Sequence, residues 1–235
     1  MTLGTLVTAL AYAVGALVFW LEARRRKLAT QGIGKLAIIG VLGGGIGAKL
    51  SQLLSQGWPF SVPFLSAAQP QQGGRAILGG VIVGWLCVEI AKRRMGIKRS
   101  TGDLFALALP AGEAVGRIGC FLNGCCFGAA CDLPWAVEQH GALRHPAQIY
   151  SSFAAVAIFG VLLTLRDRMP REGDLFRLYL ILFGFARFWL EFVRQRDTLL
   201  WGLSPMQWFS IELVVTGILL LCSRRKPAET VGGKP

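Results

Sequence analysis

Between Gly116 and Gly128 the chain reads Gly-Arg-Ile-Gly-Cys-Phe-Leu-Asn-Gly-Cys-Cys-Phe-Gly. An arginine closes an apolar stretch, and glycines, an asparagine and three cysteines follow within a few turns. An arginine at membrane depth is costly to desolvate and is kept where a partner or ligand offsets its charge. Glycines let backbone or ligand approach closely, and thiols add reactive or ligating sulfur. The planar fork of arginine suits bidentate recognition of phosphate, and low dielectric strengthens each contact. Arg117 therefore points to anion binding, with sulfur chemistry at Cys120, Cys125 and Cys126 as the competing use of the segment.

The elements that must position these residues are apolar helices. The chain has 235 residues, 53% hydrophobic and only 16% charged, where a soluble domain carries about 25% charged residues. Its net charge of +12 sits in short clusters between apolar runs, a pattern that excludes nucleic acid as the partner and fits a polytopic membrane protein. Seven apolar segments are expected to span: Leu3–Leu21, Ile33–Leu54, Gly74–Ile90, Leu104–Leu122, Ala147–Leu165, Leu175–Phe192 and Pro205–Cys222. The fold class is all-α: a single transmembrane helical domain over 1–226, with a polar, disordered tail over 227–235.

Basic clusters set the direction of the spans. Arg24–Lys27 follows the first, Lys92–Arg94 with Lys98 and Arg99 the third, Arg166, Arg168 and Arg171 the fifth, and Arg224–Lys226 the seventh. Placing these on the cytoplasmic side puts the N-terminus outside and the C-terminus in the cytoplasm. Absence of basic residues before the first span makes it an uncleaved span and not a signal peptide.

With that orientation Lys49, Arg75, Arg117 and Arg187 all come to the outer half, with Glu191 beside Arg187. The expectation is an outward-facing cationic pocket with an anionic phospholipid headgroup as ligand and a transported anion as the rival. His145-Pro146-Ala147-Gln148-Ile149-Tyr150 opens the fifth span on the same side, where His145 is either a base near neutral pH or an interfacial anchor; His140 is a weaker candidate in the same connection. Cys120, Cys125, Cys126 and Cys131 follow a C-x4-C-C-x4-C spacing that is a poor metal pattern. An oxidising location favours one or two disulfides, for example from Cys131 to Cys125 or Cys126, and leaves a reactive Cys120 open. No metal and no cofactor are expected. Cys87 and Cys222 stand apart as small apolar packers.

Six stretches, in order, resemble the prolipoprotein diacylglyceryl transferase family. They are Gly47-Ala48-Lys49-Leu50, Gly73–Gly80, the opening Gly116–Gly128 motif, His145–Tyr150, Arg187–Arg194 and Leu203–Trp208. The resemblance implies transfer of diacylglyceryl from phosphatidylglycerol to the lipobox cysteine of a preprolipoprotein signal peptide, with release of glycerol phosphate. It implies a multi-pass protein among membrane lipids of the bacterial inner membrane, its active site facing the outer leaflet. By position it assigns Arg117 and Arg187 to the phosphate, with Lys49 and Arg75 as supporting cations. Asn123, Gly124 and Gly128 would shape the headgroup site, Glu191 and Arg194 would orient neighbouring groups, and His145 would stand in as base. The chain departs from the family at Leu78, where a histidine is usual, at Cys120 (asparagine), at Cys125 (glutamate) and at Phe183 (tyrosine), and so reads as a divergent member. The reading from a different class is a membrane thiol-redox or metal-handling protein built on Cys120, Cys125, Cys126 and Cys131.

Overall fold

Seven α-helices alternate in direction, and a small hairpin closes one end of the bundle. The computed structural model describes residues 2–28, 32–55, 73–97, 99–169, 171–194 and 200–223, without the side chains of 52–55 and 73–78. The helices are α1 Leu3–Arg25, α2 Ile33–Ser55, α3 Gly73–Arg94, α4 Gly102–Leu122, α5 Ala147–Leu165, α6 Asp174–Leu190 and α7 Pro205–Cys222. Strands β1 Val137–Gln139 and β2 Ala142–Arg144 pair antiparallel in the α4–α5 connection, and a 3-10 turn, Glu191–Val193, continues α6. The fold is thus mostly helical, with a hairpin that the all-α expectation did not contain. The tail over 227–235 lies outside the described residues.

Five helices (α1, α2 to Ser51, α4, α5 and α7) are long and apolar enough to cross a membrane. Of the other two, α3 ends in Lys92, Arg93 and Arg94, and α6 is 17 residues long. Large apolar side chains stay exposed around the outside, among them Leu6, Leu10 and Leu17 on α1, Phe153 on α5 and Leu219 on α7. Apolar surface on that scale belongs against lipid.

Packing without a hydrophobic driving force relies on close backbone approach. In α2 and α3 this comes from Gly47 facing Gly79: a Cβ on Gly47 would strike the Gly79 carbonyl and Val83. Helix α1 runs antiparallel to α4, with Phe19 against Phe105 at 4.9 Å near one end and Thr2 donating to Asn123 Oδ1 at 3.1 Å at the other. Between α4 and α5, Ser152 Oγ donates to the Ala114 carbonyl at 2.7 Å. Core side chains Leu107, Ile158, Leu162, Leu175 and Tyr179 join α4, α5 and α6.

Basic residues that follow α1 and α5 meet at one end and are partly consumed by carboxylates there. Buried Glu22 accepts from Arg25 and Arg26. Asp103, 1% exposed, accepts from Arg26 Nη1 at 2.9 Å, from the Gly173 N–H at 3.0 Å and from the Phe176 N–H at 3.2 Å. The residue capping α6 is Gly173, which has no side chain, so a carboxylate from α4 satisfies the first-turn donors of α6 instead. Asp103→Ala should destabilise the protein by about 3–5 kcal/mol, the loss typical of removing one member of a buried charged network. Thermal unfolding in lipid nanodiscs measures it; a variant as stable as wild type would show that Asp103 does not tie α1, α4 and α6 together.

Candidate functional site

At the opposite end, α4, α5 and α6 leave a cleft lined by Glu113, Arg117, Ser151, Phe183 and Arg187. Helical spacing puts Glu113 one turn before Arg117, and Arg117 donates through Nε and Nη2 to Glu113 Oε1 at 3.1 and 2.8 Å. Across the cleft Arg187, 4% exposed, forms an ion pair with Glu191 Oε2 at 2.8 Å through Nη2. Its Nε and Nη1 are buried and have no hydrogen-bond partner among the described residues. A buried guanidinium with two idle donors is strongly unfavourable. An anion between Arg187 and Arg117 would supply the missing acceptors.

Arg187 is held from behind. Glu191 Oε1 accepts from Ser204 Oγ at 3.2 Å, and Ser204 forms a capping box with Gln207 at the start of α7, with Pro205 in the first turn. One cap thus fixes both the entry of α7 and the carboxylate that orients Arg187.

The α4–α5 connection is laid over the end of α6. The Gly128 N–H donates to the His145 carbonyl at 3.1 Å, Ala129 N–H to the Val193 carbonyl at 3.0 Å, and His145 N–H to the Ala129 carbonyl at 3.0 Å. Gly128 also bridges antiparallel to Arg194. No side chain fits here: a Cβ on Gly128 would lie 2.6 Å from His145 Cβ and 2.7 Å from the Val193 carbonyl. The His145 Nδ1 is buried with no hydrogen-bond partner among the described residues, and its ring stands edge-on to Tyr150.

Helix α4 ends in a left-handed turn at Gly124, φ +64°. The Gly124 N–H donates to the Phe121 carbonyl and the Cys125 N–H to the Cys120 carbonyl, both at 3.1 Å. That is the Schellman pairing, which places the residue after the glycine against the third residue from the helix end. Cys125 therefore meets Cys120, and Cys126, itself at φ +61°, folds in beside them. The sulfurs of Cys120, Cys125 and Cys126 all lie within 4.8 Å of one another. Gln148, fully buried on α5, locks the turn by donating to the Cys125 carbonyl at 2.7 Å. Hydrogen bonds from Cys120 and then Cys125 pull the Cys126 thiol well below the usual range, with Arg194 and Arg117 adding positive charge. Shared hydrogen bonds with Cys120 and Cys126 push Cys125 the other way.

Arg117, Arg187 and Glu191 thus come together as the spacing suggested, with Arg194 and His145 in the adjoining cap. Lys49 lies half-buried on α2 and does not line the cleft; Arg75 is on α3, its side chain outside the described residues. Asn123 is exposed at the end of α4 and accepts from Thr2, and Gly124 serves the helix end. No cysteine is bonded to another in the structure. Cys131 stays out of the three-sulfur group, its N–H donating to the Leu143 carbonyl. His140 is exposed and contacts the Gly124 carbonyl at 2.7 Å. Sequence reasoning missed Glu113 and Gln148. A carboxylate four residues before Arg117 within an apolar run was the available signal for Glu113.

The family model for prolipoprotein diacylglyceryl transferase matches residues 4–223. A phosphatidylglycerol–prolipoprotein diacylglyceryl transferase of Polynucleobacter asymbioticus is 35% identical over 207 residues, spanning 83% of this chain and 78% of that protein. Proteins of the same name from Paracidovorax citrulli (34%, 82% of this chain and 77% of that one) and Clostridioides difficile (31%, 88% and 84%) are also similar. These relatives favour a transferase over a thiol-redox or metal-handling protein. With the match running from the first helix to the end of the last, and the arginine cleft at its centre, the chain belongs to the prolipoprotein diacylglyceryl transferase family.

Proposed function

We propose that this chain transfers a diacylglyceryl group from phosphatidylglycerol to the lipobox cysteine thiol of a preprolipoprotein signal peptide, releasing glycerol phosphate. The observation that carries the reading is Arg187, buried with two unpartnered donors in a cleft it shares with Arg117. The oxygens of a phosphodiester headgroup can accept from those two donors, and its negative charge complements the two guanidinium groups. Its departure as a phosphate monoester concentrates charge on the atoms the two guanidinium groups face.

In the membrane arrangement we assign, seven helices span, the N-terminus is outside, and the arginine-rich end of α1, α3 and α5 is cytoplasmic. The cleft then opens at the outer leaflet of the bacterial inner membrane, within reach of lipids and of an exported signal peptide. Lys49 and Arg75 serve as supporting cations for headgroups near the same end of the bundle. Asn123, Gly124 and Gly128 fix the cap that walls the site, and Glu191 and Arg194 orient its charges.

The sulfur of the acceptor attacks the diacylglycerol carbon bonded to the phosphate oxygen. The S–C bond forms as the C–O bond breaks, and its electron pair leaves on the phosphate between Arg117 and Arg187. The thiol proton must go to a base, and His145 is assigned that role, its Nδ1 buried and unpaired at the cap. The test is purified protein with headgroup-labelled phosphatidylglycerol and a lipobox peptide. Diacylglyceryl-peptide and labelled glycerol phosphate in equal amounts are expected. Headgroup binding without product from folded protein would overturn the reading and leave a lipid-binding protein.

A further inference from the structure

The arginine cleft leaves the three-sulfur group unused. We infer that Cys120, Cys125 and Cys126 form a binding site for a thiophilic divalent metal ion of the zinc class, with a fourth position open to the acceptor thiol. The inference rests on the proposed transfer to a thiol and names a second means of preparing that thiol.

Convergence is the first ground. Among the described residues this is the one group of three or more histidine, cysteine or acidic side chains whose ligand atoms come close enough to hold a metal ion. Tetrahedral zinc with Zn–S bonds of about 2.3 Å sets sulfur–sulfur separations of about 3.8 Å, so sulfurs already within 4.8 Å need close by no more than about 1 Å. All three are half-buried, neither sealed in the core nor freely solvated.

The way the group is built is the second ground. Two of the thiols are brought together by the backbone pairing that ends α4, and Gln148 pins that turn from α5. Charge is the third. Three thiolates around a divalent cation leave one net negative charge, and Arg117 lies one helical turn before Cys120 on α4. The site thus lies next to one of the two arginines that face the leaving phosphate.

A disulfide uses the group less well. Three thiols leave one unpaired, and Cys125 with Cys126 are adjacent in sequence. A three-thiolate metal ion instead uses all three and leaves a position vacant, as catalytic zinc sites do. An acceptor thiol entering that position loses its proton on coordination, and the proton passes to His145, the base assigned above. The metal-held sulfur then attacks the diacylglycerol carbon, the C–O bond breaks, and glycerol phosphate leaves with the electron pair. The metal changes neither oxidation state nor number.

The experiment uses the full chain in lipid nanodiscs, thiols reduced, stripped with chelator and titrated with Zn(II) or Co(II). One metal per chain is expected, with the thiolate-to-cobalt charge-transfer and tetrahedral ligand-field bands of a sulfur-rich site. C120S, C125S and C126S should each weaken binding by at least about 100-fold, since loss of a ligand exceeds the effect of losing its supporting partners, while C131S keeps it. A lipobox peptide should shift the cobalt bands and its serine version should not. The wild-type spectra decide the matter even if a serine variant misfolds. No stoichiometric metal, a disulfide within the group in metal-free protein, or bands indifferent to the cysteine peptide would overturn the inference. Full-rate transfer by metal-free protein would overturn it and leave the transferase reading intact. Metal binding with a peptide-induced shift but no transfer would support the site and count against the transferase reading.

Discussion

Arg187→Ala lowers the rate of diacylglyceryl transfer by about 10²–10³-fold, the loss typical of removing a donor aimed at charge that develops in the transition state. Two of its nitrogens have no partner among the described residues, so the substitution removes contacts that a ligand would use. Because the charge grows as the phosphate leaves, the loss falls on kcat more than on KM. Arg187→Lys separates charge from geometry. It keeps a cation beside Glu191 and should preserve the fold, but a point charge cannot span the two acceptor positions of a phosphate. Its activity should lie between those of the wild type and the alanine variant. Steady-state transfer with labelled phosphatidylglycerol reads both. A lysine variant as active as wild type would mean that charge alone suffices.

The second large effect is expected at Gly128. Gly128→Ala puts a methyl group where His145 and the Val193 carbonyl already lie 2.6–2.7 Å away. Overpacking of this kind destabilises by about 1–3 kcal/mol. The larger consequence is positional: Gly128 pairs with Arg194 on one side and His145 on the other. A displacement of about 1 Å in either is enough to lower the rate about 10²-fold. Gly160→Ala is the matched control, because nothing lies within 4 Å of the added methyl and α5 gains a better helix former. Unfolding temperature and transfer rate of the two variants should diverge in opposite directions. An active, stable Gly128→Ala would show that the cap does not position these groups.

The helices were legible because lipid demands long apolar runs, and α1, α5 and α7 begin at the residues the hydropathy pattern marks. Helix α4 was less sharply drawn. It starts two residues before Leu104, since Asp103, which reads as a flanking charge, is in fact buried and caps α6 from outside. Likewise, the segment Leu175–Phe192 ends in a 3-10 turn whose first residue, Glu191, accepts from Ser204. Such cross-element contacts leave no periodicity to read. The β1–β2 hairpin escaped for the same reason: three-residue strands in a polar connection carry no alternation to detect.

At the site, Arg117 and Arg187 stood out because charge within apolar runs is rare. Glu113 was passed over although the same argument applies to it. The cysteines show the opposite case. A C-x4-C-C spacing reads poorly as a metal pattern when loop spacings are the template. Once Gly124 is recognised as the residue that ends α4, the spacing brings Cys120 and Cys125 together.

The central claim is that the headgroup phosphate sits between α4 and α6. A structure of the protein in nanodiscs containing phosphatidylglycerol tests it most directly. The account predicts density for one phosphate between Arg117 and Arg187, within about 3 Å of Arg187 Nε or Nη1. A phosphate bound beside Lys49 on the α2–α3 pair, with the α4–α6 cleft empty, would contradict it.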